Sequence, residues 1–328
     1  MNPVDFSTSK IEVRMGQTQP AQKTRYQLTL QPKCRFNDTE VRTNIRRSST
    51  YPVVKWGVLL YPPCAVVGGG PGLNSSLEIL RQWQGDIFAI NDTAGYLSDQ
   101  GIASTLYSID AIDVPFKIGP LVKGAVLASR CHRNQFKQMK GKPVQIFHMI
   151  EDIPLTRNNN GQMGGIEGGP TAVCRTPHLF LRMGYRALVF FGIDSCFYNT
   201  SHVGGNRADA QWNMIIVEVG GKQYLTNGGF LLQVQWMVNY FKQYPNFLYN
   251  ASGGFMKAML EDKEGYSVVA ISEDLRKQYL AGGVTVFSKE HKIEEEKLWR
   301  PPMMIESQNA DPSWPATATS KLDKQETG

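Results

Sequence analysis

The stretch from Cys64 to Leu73 constrains the fold more than any other part of the chain. It reads Cys-Ala-Val-Val-Gly-Gly-Gly-Pro-Gly-Leu, so an apolar run passes directly into a cluster of glycines. Polar Asn74 and then an amphipathic segment follow, which is the order strand, glycine turn, helix. Glycines let backbone N–H groups approach a ligand, and a helix N-terminus favours an anion. The stretch therefore predicts either a phosphate-binding turn or a tight structural turn.

The spacing of these glycines separates the stretch from two common nucleotide motifs. Gly68, Gly69, Gly70 and Gly72 cannot be written as G-x-G-x-x-G, the dinucleotide fingerprint. No Lys-Ser or Lys-Thr pair follows them, as a P-loop requires. A phosphate-binding turn of another type is the functional interpretation, with all four glycines as candidate nucleotide-binding residues.

After the glycine turn, short apolar strands alternate with helices, which is typical of a parallel sheet covered on both faces. We therefore predict a Rossmann-like α/β fold with a doubly wound, mostly parallel sheet. Beyond residue 194, a Gly220-Gly221 turn between two apolar runs predicts a β-hairpin, followed by an apolar helix. The predicted strands are 65–67, 86–90, 105–109, 125–129, 144–149, 186–191 and 246–250, and the predicted helices are 39–48, 74–84, 93–100, 170–183 and 230–241. Beyond residue 250, short helices without assigned bounds and a strand at 284–287 are predicted.

Composition divides the chain into three parts. Residues 1–40 are polar and form an N-terminal extension with a short strand expected at 26–30. Residues 41–300 are predicted to form a single Rossmann-like, nucleotide-binding domain. Residues 307–328 are rich in Pro, Ser, Thr, Ala and charged residues, so a disordered tail is expected there.

The net charge of +6 would help to attract anionic ligands such as nucleotides, but it is too small to indicate nucleic-acid binding. The five cysteines form no C-x-x-C pair, which favours free thiols in a reducing compartment. The N-terminus has no apolar signal sequence, and no apolar run is long enough to cross a membrane. We expect a cytoplasmic protein without a membrane partner, and homo-oligomerisation is left open.

Polar residues directly after predicted strands are the candidate site residues, because ligands of such sheets bind at the carboxyl ends of the strands. Asn91 follows the second strand and is expected to hydrogen-bond a base or ribose, with a turn-forming Asn as the alternative. Asp110 ends the third strand and Asp194 the sixth. Each carboxylate could bind ribose, hold an ion or, for Asp194, orient a catalytic base, and each could instead cap a turn.

The glycine-rich segment 157–169 precedes the helix predicted at 170–183. It would bring a second helix N-terminus to the same edge of the sheet, which makes Gly169 and Thr171 candidate nucleotide-binding residues. The segment itself is either a mobile lid over the substrate or a passive surface loop.

His202 is the best placed histidine for catalysis, since it lies on a polar, glycine-flanked loop after the sixth strand. An imidazole titrates near neutrality and suits a general base, whereas a structural loop histidine is the alternative. By contrast, His178 is expected to pack on a helix and His148 in the core. The histidine spacings do not indicate a metal site.

Taken together in chain order, these motifs resemble the MptE-like family, which includes archaeal 6-hydroxymethylpterin diphosphokinases and motility-associated-factor glycosyltransferases. The chain is more distantly similar to bacterial sialyltransferases of the Campylobacter type. The motifs are Val66 to Leu73, Ile87 to Asn91, Tyr107 to Asp110, Gly168 to Thr171, Phe191 to Asp194, Tyr198 to His202, Gln223 to Thr226 and Asn250 to Gly254.

The resemblance implies a nucleotide-dependent transferase. The family's G-x-G-P-S-L turn corresponds to Gly68–Leu73, its nucleotide-contacting Asn to Asn91, and its G-x-D strand end to Gly192–Asp194. A histidine downstream of that element is the general base in the sialyltransferase-like relatives, and His202 is the best match. Two departures stand out, because Gly72 replaces the usual Ser and the glycine that usually follows residues 250–254 is missing.

Three functions are consistent with this reading. The first is a glycosyltransferase that uses a nucleotide-sugar donor and a small-molecule or glycan acceptor, with His202 as general base and Asp194 orienting the site. The second is a Mg²⁺-dependent diphosphokinase that moves pyrophosphate from ATP to a pterin-like hydroxymethyl group, with Asp110 or Asp194 near the metal. The third is a nucleotide-binding module without catalysis. Mg²⁺ is the cofactor that the second function requires.

Overall fold

The computed structural model describes residues 11–14, 27–30, 38–57, 61–113, 116–155, 165–197, 214–262 and 265–269. The chain divides into one compact unit of residues 1–288 and a second unit, 289–328, which lies outside the described residues together with the predicted tail. Within the described residues of the N-terminal extension, strands β1 (Ile11–Arg14) and β2 (Gln27–Leu30) pair with each other in antiparallel orientation.

A seven-stranded sheet, parallel throughout, is the centre of the described fold, and the predicted Rossmann-like α/β class is confirmed. Its strands are β3 (Cys64–Val67), β4 (Ile87–Ile90), β5 (Ser104–Ser108), β6 (Val122–Ala128), β7 (Val144–Phe147), β8 (Leu188–Phe191) and β11 (Leu248–Asn250). Their order in the sheet is β11-β8-β3-β4-β5-β6-β7. Strand β3 and its neighbours β4 and β8 are buried at every position, as expected for strands covered on both faces.

The helices lie largely where the sequence predicts them. One difference follows the glycine turn, where Pro71–Ser76 forms a 3₁₀ helix before a single short α-helix. A 3₁₀ segment also spans Ile150–Leu155. The α-helices are α1 (Asp38–Ser48), α2 (Leu77–Arg81), α3 (Thr93–Asp99), α4 (Arg133–Gln138), α5 (Ala172–Arg182), α6 (Gly228–Gln243) and α7 (Gly254–Glu261).

The predicted hairpin is present as β9 (Met214–Val219) and β10 (Lys222–Asn227), and its turn is formed by Gly220 and Gly221. Both glycines have positive φ, 54° and 77°, which is the backbone that a tight two-residue hairpin turn needs. A third strand, β12 (Ser267–Val269), pairs with β9 and was not predicted, whereas α7 lies where short helices are predicted. The strand predicted at 284–287 lies outside the described residues.

The order of the strands fixes where a ligand can bind. From β3 the chain proceeds through β4 to β7 on one side, and then returns to place β8 on the other side of β3. Such a reversal opens a crevice at the carboxyl ends of the strands beside it, here β3, β4 and β8. In the described parts of the chain, no helix has both the length and the apolar character needed to cross a bilayer.

Candidate functional site

A cavity of about 300 Å³ lies at this crevice. Its lining comes from the residues that follow β3, β4 and β8, from the start of α5 and from α6. Five of the predicted site residues contribute to it, namely Gly68, Gly69, Gly70, Asn91 and Thr171. Four others, Gly72, Asp110, Gly169 and Asp194, lie outside the lining, and His202 lies outside the described residues.

Backbone N–H groups of the glycine turn donate to other parts of the protein. Gly68 N–H donates to Phe191 O at 2.8 Å, and Gly70 N–H donates to Gly192 O at 2.7 Å. A Cβ at Gly68 would come within 2.7 Å of Gly192 O, and one at Gly70 within 2.6 Å of the same oxygen. These glycines therefore allow the backbone after β3 to lie directly against the backbone after β8.

The side chain of Asp194 also hydrogen-bonds to this turn. Its side chain is fully buried, and its two carboxylate oxygens accept N–H groups of Gly72 and Gly253, each at 3.1 Å. Burial raises the pKa of this carboxyl above its usual range, while the hydrogen bonds from Gly72 and Gly253 act in the opposite direction. Asp194 thus joins the glycine turn to the loop before α7, and its carboxylate does not face the cavity.

The packing of Asp194 explains why a glycine, and not the serine of the family's turn, stands at position 72. A Cβ there would overlap with Asp194 Oδ1 and lie 3.1 Å from its Cγ. The carboxylate is held by two backbone N–H groups, so it cannot move away cheaply. A serine at this position would need a different arrangement of Asp194, and the missing hydroxyl is tied to the position of this carboxylate.

Asn91 and Asp110 meet at the ends of two neighbouring strands. Asn91 Nδ2 donates to Asp110 Oδ2 at 2.8 Å, which fixes the orientation of the amide. Asn91 Oδ1 is buried and accepts no hydrogen bond from the described residues. Asn91 also has a φ of 52°, a left-handed backbone that asparagine tolerates better than most residues. Asn91 lines the cavity, and Asp110 holds its side chain in place.

The start of α5 forms another wall of the cavity. Thr171 precedes the helix in extended conformation, but its hydroxyl makes no capping hydrogen bond to the helix. Ala172 and Val173, the first two helical residues, line the cavity. Gly169 lies behind this wall, where a Cβ would come within 2.7 Å of the Trp236 ring. The first-turn N–H groups of α5 are thus left without a side-chain cap beside the cavity.

A buried ion pair holds α5 in this position. Arg175 donates to both oxygens of Glu151, at 3.1 and 2.7 Å, and to Ile166 O at 3.2 Å. Both charged side chains are 7% exposed. A second buried ion pair joins Asp152, on the same 3₁₀ segment, to Arg130, which follows β6. Arg175 therefore ties α5 to the end of β7 and to the segment that leads into the helix.

Helix α6 completes the cavity with residues that the sequence analysis did not select. Gln233 is 5% exposed and hydrogen-bonds to Thr171 Oγ1 at 2.8 Å and to Ser195 Oγ at 2.9 Å. Ser195, next to Asp194, has a φ of 56°. Two features of the sequence could have indicated these residues. Gln233 is a glutamine within an apolar helix, and Ser195 is a polar residue directly after the strand end at Asp194. The further lining is Ile90, Asp92, Thr93, Phe116, Gly192, Ile193, Cys196 and Phe230.

The remaining histidines and cysteines in the described residues have structural surroundings. His148 is 4% exposed, and its Nδ1 lies 2.8 Å from Ser129 Oγ, so the expected core position is confirmed. His178 packs against Tyr240. Cys64, Cys131, Cys174 and Cys196 are buried free thiols. Within the described residues, no group of three or more His, Cys, Asp or Glu side chains could hold a metal ion.

Comparison with known proteins adds one finding to this geometry. Residues 43–200 match the family model described as 6-hydroxymethylpterin diphosphokinase MptE-like. No curated protein and no solved structure matches the chain, so the distant similarity to sialyltransferases stays a prediction. The description names a diphosphokinase, which is a kind of transferase, and the matched segment holds the glycine turn, Asn91 and Asp194. Over residues 43–200, the chain is therefore similar to the MptE-like family.

Proposed function

We propose that the protein is a nucleotide-dependent transferase whose donor binds in the cavity at the ends of β3, β4 and β8. The observation that carries the proposal is the uncapped first turn of α5 at the wall of this cavity. Free N–H groups at a helix N-terminus, together with the helix dipole, favour the phosphates of a donor. The phosphates would therefore lie against Ala172 and Val173, with Gly69 on the facing side.

The nucleoside part of the donor would lie towards Asn91. Because Asp110 takes the amide N–H, Asn91 offers its Oδ1, which needs a hydrogen-bond donor to compensate for its burial. An amino group of a base or a ribose hydroxyl would supply one. Asp110 then acts as the positioning residue of Asn91, and Asp194 as the positioning residue of the glycine turn.

The family description favours pyrophosphoryl transfer as the reaction. The hydroxyl of the acceptor would attack the β-phosphorus of ATP, the bond to the bridging oxygen would break, and AMP would leave. Mg²⁺ commonly binds one or two carboxylates together with substrate phosphates. In the described lining, Asp92 is the carboxylate that could serve this purpose, since Asp194 is buried and engaged with backbone N–H groups.

Glycosyl transfer from a nucleotide-sugar is the second candidate, and the charge of the cavity supports it. Among the described lining residues there is no Lys or Arg. A nucleoside triphosphate would bring more negative charge into this lining than a nucleotide-sugar does. In this reaction the anomeric carbon would form a bond to the acceptor oxygen, and the nucleotide phosphate would leave. In both reactions, pyrophosphoryl transfer and glycosyl transfer, His202 is the proposed base that deprotonates the acceptor hydroxyl.

A ligand panel followed by product analysis tests these proposals. The full chain is titrated with ATP, GTP and CMP-, CDP-, UDP- and GDP-sugars by thermal shift and calorimetry. At 100 times its Kd, a ligand specific for the folded state adds about 2.7 kcal/mol to stability. Release of AMP in the presence of 6-hydroxymethylpterin and Mg²⁺ supports the diphosphokinase, and transfer of sugar supports the second candidate. Binding without turnover would identify a non-catalytic module, and no binding would refute the proposal.

Two variants test the assigned roles once a ligand is known. Asn91→Ala should weaken nucleotide binding by about tenfold, because it removes a buried hydrogen bond. Asn91→Gly is the matched control for backbone strain, since glycine adopts the φ of 52° freely, and it should lose affinity equally. His202→Gln should lower turnover by about 100-fold or more with little effect on binding. Unchanged turnover in His202→Gln would remove this histidine from the mechanism.

A further inference from the structure

The wall of the cavity formed by Thr171, Gln233 and Ser195 has a defined hydrogen-bond polarity. Gln233 lies on α6, outside the segment that matches the MptE-like family. It is 5% exposed, and Thr171 and Ser195 line the cavity with it. A buried glutamine can fix which neighbouring oxygen donates and which accepts, because its amide has one donor end and one acceptor end.

The direction of each hydrogen bond follows from a single carbonyl. Ile193 O can only accept, so the Ser195 hydroxyl, 3.0 Å away, donates its proton there. Ser195 Oγ must then accept from Gln233 at 2.9 Å, which places the NH₂ end of the amide on this side. The other end, Gln233 Oε1, faces Thr171 at 2.8 Å and accepts its hydroxyl proton. Neither Ser195 nor Thr171 retains a proton to donate to a ligand.

The neighbours of Thr171 and Ser195 support this arrangement. The only other acceptor near Thr171 Oγ1 in the described residues is Cys174 Sγ at 3.3 Å, so its proton stays with the protein in either case. Ser195 is held in its left-handed backbone by Thr226, whose hydroxyl donates to Ser195 O at 2.8 Å. A non-glycine residue with positive φ beside a cavity is a strained position that persists when the surrounding contacts enforce it.

We propose that Gln233 is a positioning residue that makes Thr171 a hydrogen-bond acceptor beside Ser195, whose proton is held by Ile193 O, so that this wall selects a hydroxyl group of the substrate. The inference deepens the proposed function and rests on it. Phosphate oxygens are acceptors and gain nothing from such a wall, so they belong at the first turn of α5. The hydroxyl comes either from the donor nucleotide, as ribose or transferred sugar, or from the acceptor whose oxygen is modified.

Ligand pairs that differ by one hydroxyl or one sugar test the inference and separate these sources. The donor pairs are ATP with 2′-deoxy-ATP, ATP with 3′-deoxy-ATP, and UDP-glucose with UDP. The acceptor pair is 6-hydroxymethylpterin with 6-methylpterin. For at least one pair, the full chain should bind the hydroxyl-bearing member about 2- to 10-fold more tightly, the range expected for one neutral hydrogen bond.

Thr171→Val is the first variant, since valine keeps the shape of threonine without the oxygen. It should reduce the preference for the hydroxyl in that pair to about onefold, whereas Thr171→Ser should keep the preference. Thr105→Val is the matched control, because Thr105 lies half-buried in β5 and away from the cavity, and this variant should retain the wild-type ratio. An identical ratio in wild type and Thr171→Val for every pair would overturn the inference.

Gln233→Met tests the positioning role itself. Without the amide, the Thr171 hydroxyl loses the acceptor that holds its proton, and this proton is free to turn towards the ligand. The preference for the hydroxyl-bearing member should therefore fall by a similar factor. Gln235→Met is the control on the same helix, because Gln235 donates to the Tyr266 hydroxyl at 2.7 Å and does not line the cavity. A full preference in Gln233→Met would show that Gln233 only packs.

The result also distinguishes this inference from the proposed function. If none of the nucleotides binds the wild-type chain, the proposed function fails and the inference falls with it. If nucleotides bind and all hydroxyl ratios are unchanged in Thr171→Val and Gln233→Met, only the inference fails. Denaturant unfolding of each variant shows whether a change in ratio comes from a folded protein.

Discussion

The glycine turn at Gly68–Gly72 and the start of α5 at Gly169–Val173 are both glycine-containing entries into a helix at one cavity, yet they are built differently. In the turn after β3, the N–H groups of Gly68, Gly70 and Gly72 donate to the protein. At α5, the preceding Thr171 directs its hydroxyl to Gln233 and leaves the first turn uncapped. Dense glycines therefore indicate close backbone approach, whereas anion binding depends on which N–H groups remain unused.

The largest effect is expected where α5 is fastened. Arg175→Met leaves the Glu151 carboxylate buried without its partner, which should lower the free energy of unfolding by about 3–5 kcal/mol. Urea unfolding measures this loss. The double variant with Glu151→Leu should recover much of it, because an apolar pair replaces the ion pair. If the single variant were as stable as the wild type, the ion pair would not hold the start of α5.

The close approach of the glycine turn to the backbone after β8 is tested by adding one methyl group to the turn. Gly70→Ala would place a Cβ against Asp194 Oδ2 and Gly192 O, and overpacking of this kind should lower the unfolding free energy by about 3 kcal/mol. Gly101→Ala is the control, because Gly101 has a φ of 76° with open space around it, so only backbone strain of about 1 kcal/mol is expected. Equal losses in the two variants would contradict the close approach at Gly70.

The proposal that the uncapped first turn of α5 binds phosphate is tested by removing one of its N–H groups. Proline is tolerated at the first helical position, so Ala172→Pro deletes an N–H that Thr171 does not cap, with little expected loss of stability. Binding of ATP should weaken by about tenfold, since a hydrogen bond to a charged group contributes about 1.5–3 kcal/mol. Ala172→Val adds similar bulk and keeps the N–H, and it should bind more tightly than the proline variant. Equal affinities would place the phosphates elsewhere.

The smallest effect concerns pH. His148 lies at the end of β7, and its carbonyl accepts the N–H of Ile166 in the segment that leads to α5. Burial lowers the pKa of His148, and burial also lowers that of His178. Below about pH 6.5 these two imidazoles bind more protons in the unfolded chain than in the folded chain, so their contribution to stability should fall as the pH is lowered from 7 to 5. Unfolding curves in this range should show a shallower pH dependence for His148→Gln, and an unchanged slope would contradict the assignment.

Much of the fold followed from the sequence because it depends on local patterns. Fully apolar strands such as Leu188–Phe191, and the Gly220-Gly221 hairpin turn, carry their signal within a few residues. The missed elements, β1, α4 and β12, are short, and β12 is stabilised by pairing with β9. Such pairing depends on residues distant in the sequence, which a local pattern does not contain.

The candidate site was predicted in position but only partly in composition. Gly68–Gly70, Asn91 and Thr171 line the cavity, because strand ends in a parallel sheet meet at one edge. Asp194 was expected to orient a base, and it lies buried against Gly72 and Gly253 instead. Gln233 was missed, since nothing in its own neighbourhood indicates that α6 passes beside Thr171. The role of His202 remains a prediction that lies outside the described residues.

By itself, the sequence determined the class of fold, the edge of the sheet that carries the candidate site and the similarity of residues 43–200 to the MptE-like family. These properties depend on the spacing of apolar residues, the positions of the glycines and the succession of strands along the sequence, all of which are local features. Only the tertiary structure decided which N–H groups are used, that Asp194 faces the glycine turn and that Gln233 sets the polarity of one wall. A hydrogen bond has a direction and a partner, and both depend on residues brought together by folding.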